Sequence, residues 1–489
     1  MNRISFGLIL IAAAAFLLGG CVVGPNFQPP ASASPAKWRD QDQATASPQP
    51  LATNWWTMFG DETLDDLQRR ALAANQDLKK AVARVDENRA SLRAAKSARY
   101  PALNLNQSYE RNRSSETGSQ GGSAAGGLIP LEQDRLRTTI DGGYEFDLWG
   151  KVRRTVESAA AQSAAVEAAR DTVLLNLTAD VAENYFSLRS LDAEIVVLER
   201  TVVLREKALA VNQSRFDTGV ALPADVSRAE TELANVQSDL SEARRRRVLF
   251  LNGLAPLCGE PASTFHLESK PLASAPPPEV PAGLPSELLL RRPDVAEAEQ
   301  LAASKCAEIG VAKAAFLPSV KLTGYAGLES LELKDLFTWE SRIWAIGPNV
   351  SLPIFSGGKN RANLKVAEAR YEQAVATYRQ SLLGAFRDVE NALANTHAYA
   401  EQAATLRRAE DSARRTAGYF DQRLQGGMIA YLDVVEAQRT LLQAERASVQ
   451  NLGARYTASV ELIKSLGGGW QAAVPTLRTD DEGEHVANK

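Results

Sequence analysis

The hydrophobic pattern of this chain changes period several times, and the changes come in the same order twice. Behind Asp61, which stands as an N-cap, Leu64, Leu67, Ala71, Leu72, Leu78, Val82, Val85 and Leu92 keep helical spacing to about Ser97. Pro101 ends that helix and the period drops to two. Leu103, Leu105 and Tyr109 alternate with Asn104, Asn106, Ser108 and Glu110, and later Tyr144, Phe146 and Leu148 alternate with Gly143, Glu145 and Asp147. With a Gly/Ser run at 118–127 between them, the two segments predict a β-hairpin over 102–148 with one apolar and one polar face. From Lys151 to Asp217 the pattern is helical again, with neither Pro nor Gly. A helix of 67 residues spans about 100 Å and has to lie along partners as a coiled coil.

The helix runs into Arg215, breaks at Gly219 and restarts behind Asp225, the signature of a helical hairpin tip at 215–225. A second helix is predicted from about Ala224 to Asn252, stopped by Gly253. The same succession follows a Pro-rich linker at 254–285. A helix starts near Glu287 and holds Arg291, Arg292 and Pro293 in its first turns, where proline is tolerated. Alternation returns over 319–355, with Val320 and Leu322 against Lys321 and Thr323, then Val350, Leu352 and Ile354 against Asn349 and Ser351. A long helix from about Lys359 to Leu424, a tip at 423–433 and a helix from about Tyr431 to Leu466 complete the copy. Arg215, Gly219 and Asp225 are matched by Arg423, Gly427 and Asp433, each 208 positions on (423 − 215). Pro348 and Pro353 predict a bend or an end in the fourth strand, since proline has no N–H for the ladder.

The fold class is therefore mostly α with a small β part and an internal two-fold repeat. An extended arm at 21–54 precedes the first repeat at 55–253, the linker at 254–285 leads to the second at 286–469, and an acidic tail fills 470–489. The short helices of each copy total about 66 and 65 residues, close to the long helices, so two short ones stacked end to end match one long one, giving a rod of about 100 Å.

Four amphipathic strands need a partner for their apolar face, and two readings fit: packing on the helices, or contact with lipid. Aromatic residues gather near the hairpins (Tyr100, Tyr109, Tyr144, Trp149, Tyr325, Trp339, Trp344 and Phe355), like an interfacial belt. In lipid, four strands leave two unpaired edges, so several chains must close the barrel, two giving eight strands or three giving twelve.

Composition narrows the function further. A formal net charge of -4 gives no sign of a nucleic acid partner, and Arg244 to Arg247 reads as a solvated helix face. Three His at 266, 397 and 485 are scattered, and there is no nucleophile elbow, phosphate loop or Cys/His metal spacing, which points away from an enzyme, a cofactor or a metal. At the N-terminus, Arg3, an apolar run from Ile9 to Leu18 and then Gly19-Gly20-Cys21 read as a signal peptide over 1–20, or as a short uncut anchor. Cys258 and Cys306 either pair in an oxidising compartment or stand as two small buried thiols.

Several ordered motifs then resemble one family. They are Leu18-Gly19-Gly20-Cys21, Val23-Gly-Pro-Asn-Phe-Gln-Pro-Pro30, Arg291-Arg-Pro-Asp-Val295, Phe316-Leu-Pro-Ser319, the Gly347–Gly358 segment and the doubled tips. Together they resemble the TolC-type outer membrane factors, in the lipoprotein branch that serves RND multidrug efflux pumps. The resemblance implies a homotrimer with a twelve-stranded β-barrel continued by a long α-helical coiled-coil tunnel in the periplasm. It implies a periplasmic adaptor (membrane fusion) protein and an inner membrane RND transporter as partners. It also implies a covalent lipid, N-acyl (palmitate) and S-diacylglycerol, on Cys21, with Val22 favouring outer membrane sorting. A periplasmic gate is implied at Asp433 and Glu436, with Asp225 the counterpart of Asp433, and Arg423 and Arg215 are candidate partners of those carboxylates. Phe216, Gly219, Val220, Gly427 and Met428 would form the adaptor-binding tips. The alternatives are the conduit of a type I protein secretion system or a non-conducting coiled-coil lipoprotein scaffold.

Overall fold

The computed structural model describes residues 22–31, 35, 37–39, 52–113, 115, 132–280, 292–425, 429 and 431–470. The predicted signal peptide, the Gly/Ser run at 118–127, the start of the helix near Glu287 and most of the acidic tail lie outside them. In chain order the elements are α1 (Glu62–Ala74), α2 (Gln76–Ser97), β1 (Ala102–Arg113), β2 (Glu132–Phe146), α3 (Lys151–Asp217) and α4 (Pro223–Leu257). The second half holds α5 (Pro293–Ala314), β3 (Ser319–Ser330), β4 (Arg342–Ser351), α6 (Lys359–Gln425) and α7 (Tyr431–Ser465). Both α3 and α6 are 67 residues long, and α4 and α7 are 35 each.

Three boundaries depart from the periodicity. The helix expected from Asp61 to Ser97 is two helices, because Asn75 takes an extended ψ of 131° while serving both ends: its N–H donates to Ala71 O, and its Oδ1 accepts from Leu78 N at 2.9 Å. Gly253 does not stop α4, which runs on to Leu257. A Cβ there would meet Asn184 Oδ1 at 3.2 Å, so the glycine permits a close approach rather than a turn. Pro348 sits inside β4 opposite Leu322, and the strand ends at Ser351, before Pro353. β4 is an edge strand of the sheet in this chain, the place in a sheet where proline is tolerated.

The chain forms two compact units. The first comprises Met1–Pro30, Asp86–Ala165 and Ala298–Thr377 and contains the sheet, whose order β1-β2-β3-β4 is antiparallel throughout. Its register sorts the side chains cleanly, because residues directly opposite one another share a face. One face carries Leu103, Leu105 and Tyr109 of β1, Leu136, Ile140, Tyr144 and Phe146 of β2, Val320, Leu322 and Leu328 of β3, and Trp344, Ile346 and Val350 of β4. The other carries Asn104, Asn106, Asp141, Arg137, Glu145, Lys321, Glu329 and Asn349, and is tied by ion pairs such as Lys321–Glu145 at 3.5 Å and Arg137–Glu329 at 3.6 Å. The apolar face is uncovered in the chain: Leu105 is 71% exposed and Trp344 75%. Beyond Tyr109, whose hydroxyl donates to Asp134, the same face turns to Arg111, Arg113 and Glu132. Trp149 uses its indole N–H on the Pro318 carbonyl at 2.7 Å.

The second unit comprises Ala31–Val85, Val166–Glu297 and Tyr378–Lys489. Its main core joins Trp55, Leu64 and Leu67 to Val181, Tyr185, Phe186 and Leu188 of α3, Leu254 of α4, and Tyr456, Val460 and Ile463 of α7. Phe186 lies between Phe59 and Tyr456, ring centroids 4.8 and 4.7 Å away. Tyr185 donates to Asp61 Oδ2 at 2.7 Å, and burial pushes its hydroxyl up to about 12. The linker is fastened by one fully buried carboxylate: Asp192 accepts from Arg189, Arg247, Ser269 Oγ and Lys270 N. Cys258 and Cys306 are free, buried thiols. Among the described residues no helix is both long and apolar enough to cross a membrane.

Candidate gate and tip residues

The first tip folds as its residues dictate. α3 ends at Asp217, Gly219 turns the chain at φ +74, and Val220 N and Ala221 N both donate to the Arg215 carbonyl. Nothing lies within 4 Å of a Cβ built on Gly219, so the residue is required by the backbone angle alone. Pro223 begins α4, and Asp225 accepts the Leu222 N–H at 3.2 Å, so this carboxylate caps the helix. Phe216, Val220 and Leu222 are left exposed on the turn, Val220 and Leu222 by two-thirds. At the second tip, Gly427 and Met428 lie outside the described residues, as does Cys21.

α7 starts at Tyr431. Asp433 and Glu436 are exposed, while Tyr431, Val434 and Val435 are buried, so the separation of three places both carboxylates on the outward face. Arg215 and Arg423 form no ion pair with either carboxylate among the described residues, and the Arg423 guanidinium lies 5.3 Å above the Tyr419 ring. The basic partner of Glu436 is Arg439, at 3.1 Å. Sequence reasoning missed this residue.

Arg439 opens a chain of polar contacts through four helices. It donates through Nε to Glu232 Oε1 of α4 at 2.9 Å and also through Nη2. Glu232 is 3.6 Å from Arg205 of α3, Arg205 donates to Gln438 Oε1 at 2.8 Å, and Gln438 donates to Asp421 of α6 at 3.0 Å. Both Arg205 and Glu232 are buried, and burial lowers the Arg205 proton affinity below the ordinary arginine range. Burial also raises the Asp421 carboxyl, against the hydrogen bond from Gln438 and the charge of Arg205. Further along α7, buried Glu445 accepts from Arg200 and Arg414, and Arg446 binds buried Glu194 at 2.8 Å and Asp239 at 2.7 Å. Among the described residues no group of three or more His, Cys, Asp or Glu is arranged to hold a metal ion.

Two 67-residue helices and one amphipathic four-stranded sheet are the parts of an outer membrane channel, and the comparisons agree. The model of the outer membrane efflux protein family matches residues 67–260 and 284–468. The solvent efflux pump outer membrane protein SrpC of Pseudomonas putida is 33% identical over 472 residues, 94% of this chain and 98% of its own. The pyoverdine export outer membrane protein OpmQ of Pseudomonas aeruginosa is 34% identical over 463 residues, 94% of this chain and 97% of its own. Among solved structures, the outer-membrane channel OprN superposes with a TM-score of 0.86 at 28% identity, covering 92% of this chain and all of that one. The chain belongs to the outer membrane efflux protein family.

Proposed function

We propose that three copies of this chain form the outer membrane conduit of a tripartite efflux pump. Each copy contributes four strands to a twelve-stranded barrel, and α3 with α4 and α6 with α7 line a periplasmic tunnel in two matching repeats. The observation that supports this most is the sheet. From Leu136 to Phe146 its apolar face spans ten residue steps, about 34 Å along the strand, or about 24 Å upright at a barrel tilt near 45°. That height suits a bilayer's hydrocarbon, and the edges β1 and β4 have no strand partner among the described residues, so lipid demands neighbouring copies.

In this reading Cys21 carries the acyl chains that anchor the mature N-terminus. The exposed Phe216, Gly219 and Val220, with Gly427 and Met428, meet a periplasmic adaptor, which links the conduit to an inner membrane transporter. Asp433 and Glu436 ring the periplasmic mouth, and Arg439 is the basic residue that holds Glu436. Asp225 fixes the first tip as a cap. The protein does no chemistry on its cargo. The relatives are named for cargoes as different as solvent and pyoverdine, which supports a tunnel that leaves selection to the transporter.

Reconstitution in a planar bilayer tests the reading: discrete conductance steps from a heat-modifiable trimer are expected, and a monomer that carries no current overturns it. For the gate, Asp433→Ala with Glu436→Ala should raise mean conductance several-fold and sensitise cells to large antibiotics. Unchanged conductance in that double variant removes the assignment.

A further inference from the structure

Residues 22–26 run through a corner of the sheet-bearing unit built by three elements. The turn after β2 supplies Trp149 and Gly150, the first turn of α3 supplies Arg154, and α5 supplies Cys306 and Gly310. Val23 N donates to the Trp149 carbonyl at 3.1 Å. Arg154, only 2% exposed, donates to Val23 O and Gly24 O at 3.3 Å each, to Asn26 Oδ1 at 2.8 Å and to Glu157 at 2.7 Å. The Cys306 thiol points at Pro25 O, 3.8 Å away. The fit is close: Gly24 sits at φ +99, and a Cβ on it would lie 2.5 Å from Gly310 Cα. A Cβ on Gly310 would in turn meet Val23 O at 2.8 Å.

The corner has a second property. Trp149 and Arg154 follow β2, whereas Cys306 and Gly310 precede β3, so the segment touches the elements leading to both strands. Those strands pair with each other, and Phe146 opposite Val320 is the end of their ladder nearest the corner. This ladder is the seam between the two hairpins, since the sheet order is β1-β2-β3-β4.

We propose that residues 22–26 act as a built-in peptide ligand, with the Arg154 corner as its receptor, and that docking fastens the β2–β3 seam at the foot of the sheet. A buried guanidinium is costly unless its donors are met, and here two carbonyls and a side-chain amide oxygen of the segment meet them. Without the segment, Arg154 keeps only Glu157 as a side-chain partner among the described residues, so order in the corner and order in the segment are coupled. The proposal rests on the sheet register and the corner, and it survives even if the channel reading fails.

Hydrogen–deuterium exchange of the full-length protein tests it, comparing wild type with Arg154→Gln and Gly24→Ala. In both variants the peptide containing Val23 should exchange faster by about tenfold or more, a local opening of the kind exchange reads directly. Peptides covering 144–146 and 320–322 should accelerate with it, while Leu105 opposite Ile140 in the β1–β2 ladder stays protected. Release of Val23 with an unchanged seam would make the segment a passenger and overturn the proposal, and so would full protection of Val23 in both variants. If Arg154→Gln does not fold, Gly24→Ala and Gly310→Ala decide the matter, because they crowd the corner while keeping the Arg154–Glu157 pair. Mass measurement of the mature N-terminal peptide separately reports whether Cys21 is acylated.

Discussion

Two stretches of α3 are held in different ways. From Leu177 to Leu188 the helix buries Val181, Tyr185, Phe186 and Leu188 in the main core of its unit, against apolar residues of α1, α4 and α7. From Asp192 to Arg205 apolar contacts thin to a small cluster around Ile195, Leu198, Val236 and Leu240. There the neighbouring helices are bound chiefly through Glu194–Arg446, Arg200–Glu445 and Arg205–Glu232. Apolar packing is non-directional and gives way only by opening a cavity, whereas an ion pair, once loosened, exchanges its partner for water or another charge. The first stretch is built to stay, and the second, toward the tips, is built to be rearranged.

The largest effect should come from the first stretch. Phe186→Ala removes a ring packed between Phe59 and Tyr456, and should cost about 3–5 kcal/mol in denaturant or thermal unfolding of the purified protein. A loss below about 1 kcal/mol would mean that this core does not carry the unit's stability.

Next comes the ionic stretch. Glu232→Gln leaves Arg205 with Gln438 and Arg439 with Glu436, so the cost should be smaller, about 1–3 kcal/mol. Replacing the buried pair together, Arg205→Met with Glu232→Leu, should restore stability to within about 1 kcal/mol of wild type, as expected when an ion pair gives way to packed apolar groups. If the double replacement is as damaging as Phe186→Ala, the two stretches do not differ in the way argued.

How far the sequence foretold this contrast depends on what each residue shows without its neighbours. The ends of α3 were legible at Lys151 and Asp217, because 67 residues of unbroken period admit no other element. The strand faces were legible too, since a period of two fixes which side each residue takes. Asn75 was not, because a single polar residue on the inward face, four after Ala71 and three before Leu78, leaves the helical period unbroken whether it continues the helix or caps two ends. Gly253 was misread because the space it leaves is occupied by Asn184, 69 positions earlier (253 − 184). Arg439 was missed because its buried partner Glu232 is 207 residues away. A signal existed: Arg439 and Arg446, and Gln438 and Glu445, each recur seven apart, a polar seam at coiled-coil spacing.

A smaller test separates the charge of the gate from its support. Arg439→Ala leaves Asp433 and Glu436 in place and removes the link to Glu232, so conductance should rise in the same direction as in the double carboxylate variant, but by less. Arg439 is partly exposed but its partner Glu232 is buried and keeps Arg205 3.6 Å away, so stability should fall by about 1–2 kcal/mol. An unchanged conductance would make the arginine a brace between helices with no part in the gate.

The smallest effect, and the one that probes the end of the polar chain, concerns Asp421. Burial raises its carboxyl in the folded protein above the value in the unfolded chain, so the folded state takes up a proton more readily. Stability from this group is then fully present below the unfolded value, near 3.9, and is lost as pH rises through the folded one. Asp421→Asn cannot lose a proton and still offers Gln438 an oxygen, so at neutral pH it should match or slightly exceed wild type, by about 0.5 kcal/mol at most given its partial exposure. On acidification through the raised value toward pH 4, wild type should close that gap. A gap that widens instead would mean that Arg205 holds the carboxylate ionised, and that the chain ends on an ion pair rather than on a buried acid.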